Sequence, residues 1–128
     1  MVESSLRLVE ADGLRLPGGC APEGGFDILA SNPPYIRADA MARLDANVKD
    51  YEPHIALTDG ADGLSFYRMI AAGAASILKP EGVIVVELGD GQAADVRGVM
   101  TAAGFDDCTV VRDRGTGKER VMVVRRDG

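Results

Sequence analysis

The sequence predicts an α/β domain, and three observations predict it. A β-branched run, Val83 to Leu88, reads as a strand covered on both faces. A second apolar segment, residues 26–31, stops abruptly at Asn32-Pro33-Pro34-Tyr35. Between the two, Leu64, Tyr67, Ile70, Ala71, Ala74, Ile77 and Leu78 recur at helical spacing. Strand, helix, strand, helix and hairpin is an alternation that buries both faces of a sheet by interleaving the two kinds of element.

Taken in order, Leu6-Arg7-Leu8-Val9 alternates weakly and ends at Glu10-Ala11-Asp12-Gly13, a short strand and a turn. Residues 17–25 are rich in glycine and proline and read as a loop. The strand at 26–31 comes next, then a helix from about Asp39 to Ala46. Residues 47–63 show little periodicity, and a loop of that length inside a compact domain is usually functional. The helix over 64–78 is stopped by Lys79-Pro80-Glu81-Gly82, and the strand at 83–88 begins after it. A second helix spans 92–103 with Gly104 as its stop. Residues 107–112 and 119–124 then form a hairpin around Asp113-Arg114-Gly115-Thr116-Gly117.

The 128 residues are the size of one domain, residues 1–128, with 46% hydrophobic and 27% charged residues. A formal net charge of −6 and a pI near 4.7 give no general attraction to phosphate backbones. The dense basic stretch, Arg112 to Arg126, is interrupted by acids. The two cysteines, Cys20 and Cys108, have no metal or redox spacing, and no secretory signal or membrane-length apolar run occurs, so the expected location is the cytoplasm. Cys108 reads as a small buried hydrophobe, Cys20 sits in the Gly-Pro loop, and His54 reads as an ordinary polar residue.

Asn32-Pro33-Pro34-Tyr35 carries the chemistry. Neither proline can donate to a ladder, and each drives the residue before it toward extended backbone, so the result is a stiff loop at the carboxyl end of a strand. Ligands of open α/β sheets bind at that end. A planar NH2 group has two hydrogens to place: the Asn32 side-chain oxygen and the Pro33 carbonyl would each accept one, while the Tyr35 ring covers the planar face. Such a grip favours the transition state in which the nitrogen lone pair localises. The alternative is a Pro-Pro turn after an edge strand, with Asn32 capping its own backbone.

Glu87-Leu88-Gly89-Asp90-Gly91-Gln92 also runs from a strand through Gly-x-Gly into a helix, as a cofactor loop does. Too little chain lies beyond it to complete a cofactor-binding half, and part of that remainder is a hairpin. We read it as a strand-to-helix turn.

In order along the chain, the motifs resemble the catalytic domain of the HemK-type release-factor glutamine methyltransferases. The resemblance rests on Phe26-Asp27 through Asn32-Pro33-Pro34-Tyr35-Ile36, on Tyr51-Glu52-Pro53-His54-Ile55-Ala56-Leu57 with Asp62-Gly63-Leu64, and on Arg112-Asp113-Arg114-Gly115-Thr116-Gly117-Lys118-Glu119-Arg120-Val121. It covers about Leu6 to Arg125. The first motif alone is shared with methyltransferases that act on base amines of DNA and RNA; the other two segments narrow the choice.

The resemblance implies a Rossmann-like, S-adenosylmethionine-dependent fold, of which this chain would carry strands three to seven, ending in an antiparallel hairpin. It implies methyl transfer to the glutamine amide of the Gly-Gly-Gln motif of class 1 peptide chain release factors, with no metal. Asn32 would be the catalytic group, touching both substrate and cofactor. Pro33, Pro34, Tyr35 and Glu52 would line the substrate slot, and Asp12 and Gly13 would lie beside the adenine. Asp113 and Arg114 would organise the hairpin. Family members often carry a bulky residue where this chain has Gly13.

The family's Asp/Glu-x-Gly-x-Gly cofactor loop and helical substrate-binding domain are absent from these 128 residues. The isolated polypeptide is therefore expected to bind S-adenosylmethionine weakly and to be inactive. The strand at 26–31 is expected to have an unfilled edge, which invites self-association. The competing readings are a base-amine methyltransferase, disfavoured by the acidic balance, and a non-catalytic remnant.

Overall fold

The structure is a computed structural model that describes Val9, Leu14, residues 21–33 and residues 62–126. The element order is β1 (Phe26–Ser31), α1 (Ser65–Ile77), β2 (Leu78–Glu87), α2 (Ala93–Ala102), β3 (Asp107–Arg112) and β4 (Glu119–Arg125). The α/β alternation expected from the sequence is present. The strand expected at 6–9 and the helix at 39–46 fall outside the described residues, Val9 excepted.

The four described strands form one sheet in the order β1-β2-β4-β3. β1 and β2 are parallel, with Ile28 opposite Val83 and Ser31 opposite Val86. A parallel pair needs a crossover, and α1 lies in the chain between these two strands. β2 and β4 are antiparallel, Ile84 facing Val124 and Glu87 facing Val121, and β4 returns from β3 as a hairpin. A parallel pair finished by an antiparallel hairpin is the arrangement that the Rossmann-like reading requires of its last four strands.

The pairing fixes which side chains share a face. Leu29, Ile84, Val86, Met122, Val124, Cys108 and Val110 fall on one side, and the fully buried members are Ile84, Val86, Met122 and Val124. The stripes of both helices close onto this side, with Tyr67, Ile70, Ala71 and Ala74 from α1 and Ala93, Val96 and Met100 from α2. On the opposite side Val83 and Val85 are half-buried, and Ile28 and Val111 are exposed. Both described helices pack on the first side, and the expectation that β2 is covered on its other face as well turns on residues outside the described ones.

β2 also begins earlier than expected. The helix stops at Ile77, but the strand starts at Leu78 and includes Lys79-Pro80-Glu81-Gly82. Phe26 pairs with Leu78 while Ile28 pairs with Val83, so this stretch bulges out of the ladder. A bulge leaves residues without ladder partners, which is how a strand accommodates a proline. The regular pairing starts at Val83, as read from the sequence.

Capping accounts for the helix ends. Gly104, at φ 95°, ends α2; its N–H donates to the Thr101 carbonyl and the Phe105 N–H to that of Met100, both at 3.0 Å. This is the paired closure that needs a left-handed residue, and it swings Phe105 into the core. At the end of α1, an Arg126 guanidinium N–H donates to the Ala75 carbonyl at 2.9 Å, placing a cation at the negative end of the helix dipole. The same guanidinium lies 5.8 Å from the Phe105 ring centroid.

The other end of α1 is tied to the sheet by a buried hydroxyl: Tyr67, fully buried, donates to the Glu87 carbonyl at 2.5 Å. Tyr67→Phe keeps the ring and removes the donor. It is expected to lower unfolding free energy by about 1–3 kcal/mol in urea denaturation, the usual cost of stripping a partner from a buried carbonyl. A change within error would show that this bond does not hold α1 to β2.

Candidate functional site

β1 stops at Ser31 because the next residues are Asn32 and Pro33, and Pro33 supplies no N–H for a further ladder bond. Asn32 is exposed, Pro33 is buried, and the Asn32 side chain has no hydrogen bond to a described residue. Because Ser31 is abreast of Val86, Asn32 emerges beside Glu87, where β2 also ends. Two parallel strands thus finish side by side, and it is outside such carboxyl ends that open α/β sheets place their ligand crevice. Asp12, Gly13, Pro34, Tyr35 and Glu52 lie outside the described residues, as do Cys20 and His54.

The turn after β2 borders this crevice. Gly89 donates its N–H to the Gln92 side-chain oxygen at 3.0 Å, and the Gln92 N–H donates to the Gly89 carbonyl at 3.2 Å. The Gln92 side-chain amide also reaches the Gly63 carbonyl, at 3.5 Å. The Gly-x-Gly segment is therefore closed on itself. An N–H occupied by a glutamine oxygen is not free to cradle a phosphate, in keeping with its reading as a strand-to-helix turn.

Gly63 joins the long segment to α1. It is buried with φ 85°, a backbone conformation that a side chain would strain. Asp62 before it grips the start of the helix. One carboxylate oxygen accepts from the Leu64 N–H at 3.0 Å, and both accept from the Arg68 guanidinium, at 3.2 and 2.6 Å. The Arg68 hydrogen bonds first, and then the Leu64 N–H, hold the Asp62 carboxyl down at about 2, well below its ordinary 3.8. The sequence reading passed over this pair. An acid two residues before a helical run is a legible cap signal, but a partner at Arg68 is fixed only once the turn has formed.

The hairpin turn reaches the same end of the sheet, since Glu119 and Arg112 are paired there. Asp113 organises it: its side chain accepts from the Gly115 N–H at 2.8 Å, its carbonyl from the Gly117 N–H at 2.7 Å, and its N–H donates to the Lys118 carbonyl at 2.8 Å. Arg112 adds a bond to the Gly117 carbonyl at 2.9 Å. Arg114, expected to share this role, is exposed and has no such bond to a described residue. Lys118 pairs with Asp90 at 3.1 Å, joining the hairpin to the turn after β2. A cavity of about 310 Å³ between them is lined by Asp90, Gly91, Arg112, Lys118 and Glu119. A larger one, about 450 Å³, lies at the opposite end by Pro80, Gly82 and Arg126, away from Asn32.

Cys108 is half-buried, packs against the core and donates to the Phe105 carbonyl at 3.4 Å. Burial pushes its thiol up, which suits a packing residue and not a nucleophile. Among the described residues no group of His, Cys, Asp and Glu can hold a metal ion, and no helix is long and apolar enough to cross a membrane.

No protein-family model matches the chain. Individual proteins do. It is 46% identical over 103 residues to the release factor glutamine methyltransferase of Agrobacterium fabrum, covering 80% of this chain and 35% of that protein. Against the Geobacter sulfurreducens protein of the same name it is 45% identical over 97 residues, 76% of this chain and 34% of the relative. Over the aligned residues the chain is similar to release factor glutamine methyltransferases. The chain spans about a third of the length of the curated relatives it matches. A solved protein-(glutamine-N5) methyltransferase from Alicyclobacillus acidocaldarius superposes with a TM-score of 0.49 at 26% identity, covering 80% of this chain and 50% of that one.

The Asp62 carboxyl makes a pH-dependent contribution with a definite sign. Its folded value lies below its unfolded value, so the stabilisation is present above about pH 4 and is lost as pH falls through about 2. Thermal unfolding of the wild-type chain and Asp62→Asn should differ at pH 6 and converge at pH 2. A gap that persists unchanged to pH 2 would refute the Asp62–Arg68 grip as its source.

Proposed function

We propose that this chain contributes the amide-binding part of a methyltransferase that modifies the glutamine side chain of the Gly-Gly-Gln motif in class 1 release factors. The observation that carries the proposal is the exposed Asn32 side chain, uncommitted among the described residues, at the carboxyl end of a parallel strand in a chain 46% identical to an enzyme of that name.

The substrate amide is held by its two hydrogens, one on the Asn32 side-chain oxygen and one on the Pro33 carbonyl. Tyr35 would cover the planar face, and Pro34 and Glu52 would border the slot. Two acceptors fix the amide plane, so the nitrogen lone pair is aimed out of the slot and its localisation is favoured. Buried Pro33 makes the grip stiff. On transfer the bond between methyl carbon and sulfonium sulfur would break with its electron pair left on sulfur, and the alkylated amide nitrogen, made strongly acidic, would pass one proton to solvent, so no strong general base is required.

S-adenosylmethionine would supply an electrophilic methyl group at this site. Of the three residues assigned to it, Asn32 is the one described, and its exposed amide fits a polar contact. Asp12 and Gly13 would flank the adenine. These three are few contacts for a nucleoside, so the 128-residue polypeptide alone is expected to bind S-adenosylmethionine with millimolar or weaker affinity and to show no turnover. Calorimetric titration giving a micromolar constant would overturn this. The exposed Ile28 edge of β1 is where we expect the isolated chain to self-associate.

The decisive assay offers the polypeptide in its native extent a class 1 release factor in one arm and single-stranded or duplex nucleic acid in the other. Methyl transfer to the release-factor glutamine is expected; transfer to a base amine would favour the nucleic-acid reading. In that assay Asn32→Ala should lose on the order of 100-fold in turnover, as when a single preorganised hydrogen-bonding group is removed. Near-normal turnover would mean that the nitrogen is held elsewhere.

A further inference from the structure

Three of the hydrogen bonds that Gln92 makes converge on the turn after β2 and the start of α1. Its side-chain oxygen accepts from Gly89, its backbone N–H donates to the Gly89 carbonyl, and its side-chain nitrogen faces the Gly63 carbonyl at 3.5 Å. Gly89 is two residues past the end of β2, whose last pair of residues stands beside Ser31 and Asn32. Gly63 is buried, has positive φ and closes the long segment that carries Glu52. One amide therefore spans the crevice wall from the β2 end to the point where that segment enters α1.

The geometry points to Gln92 as a positioning residue for the glutamine slot, an inference that rests on the function proposed above. The amide is oriented because its oxygen is already committed to Gly89, which turns its nitrogen toward the Gly63 side. Tyr67 adds a second tie between the same elements, from the first turns of α1 to the Glu87 carbonyl. With both ties made, residues 62–64 cannot slide along β2 without breaking a bond to its carboxyl end. The Lys118–Asp90 pair loads the other side of the turn, so the turn is held between hairpin and helix. The β2 end beside which Asn32 emerges is thereby held in place.

Gln92→Glu separates the two halves of this amide, because a carboxylate still accepts from Gly89 but cannot donate to Gly63. Gln92→Met keeps the length and loses both. In the polypeptide of native extent, Gln92→Glu is expected to raise KM for release factor by about 2- to 10-fold, the scale of one modest hydrogen bond. kcat should stay within about twofold, with Gln92→Met losing more in KM, and the rise in KM should persist well below each variant's unfolding midpoint, where the chain is fully folded. Unaltered KM, or a KM rise that vanishes under conditions where the variant is fully folded, would overturn the inference. Asn32→Ala separates the two claims: full turnover in that variant sinks the slot and leaves the KM result to stand for Gln92 alone. If no turnover is found with any substrate, amide spectra of the 128-residue chain decide. The Asn32 side-chain NH2 resonance should move in Gln92→Glu; movement confined to Gly89 and Gly63 would overturn the positioning role.

Discussion

β2 is the one strand of the described sheet whose two hydrogen-bonding edges are occupied by strands of opposite sense, β1 parallel and β4 antiparallel. Everything else is hung on it. Ile84, Val86 and Leu88 alternate into the core beneath α1, and all three side chains are fully buried. The antiparallel edge imports Met122 and Val124 into the same core, which β2 and two helices alone would leave open. The parallel edge fixes β1 so that Ser31 is level with Val86, and that register decides where Asn32 emerges. A slip of one residue would turn Ile84 and Val86 outward and displace Asn32 together with the core. The position of Asn32 and the core are thus specified by the same ladder.

Legibility in the sequence tracks the range of the forces involved. The stripe of α1, the run of β2 and the Gly104 stop depend on neighbours a few residues away, so their signals are local and survive in the sequence. The bulge at Lys79-Pro80-Glu81-Gly82 does not: proline there signals an end to regular structure, yet Phe26 pairs beyond it with Leu78. That pairing is a tertiary event. At the site, the Asn32-Pro33 stop was legible because proline chemistry is intrinsic, and Asp113 because an Asx turn is local. The Gln92–Gly63 contact spans 29 positions and could be found only in three dimensions.

Charge is distributed around the crevice in a way that favours structure over attraction. Asp62 is satisfied by Arg68, Asp90 by Lys118, and Glu119 stands 3.7 Å from Arg112. Exposed pairs of this kind contribute little stability singly and are screened by salt. Their value here is geometric: Asp62–Arg68 ties a loop to α1, Lys118–Asp90 ties two turns together, and Arg112–Glu119 joins the paired ends of β3 and β4. The outcome is a rim with these cations already engaged, poorly suited to gripping a phosphate backbone. A neutral ligand that presents hydrogen-bond donors suits it better, and a side-chain amide is such a ligand.

Two parallel strands finish side by side in this molecule, each leading to a side-chain amide, and the two amides have opposite fates. Gln92 is consumed by Gly89 and Gly63, so the glycine-rich turn it closes is finished as structure. Asn32 is delivered to the surface by a strand that proline forbids to continue, with Pro33 buried behind it. An exposed amide held in a stiff loop loses less entropy on binding than one on a mobile loop. The backbone before Pro33 is held extended and the loop cannot fold back into a helix, which leaves the Asn32 side chain available. The glycine motif is the more conspicuous of the two in the sequence, but its hydrogen bonds are spent. The proline motif retains an acceptor unspent among the described residues at the ligand-binding end of the sheet, and availability is the property a site requires.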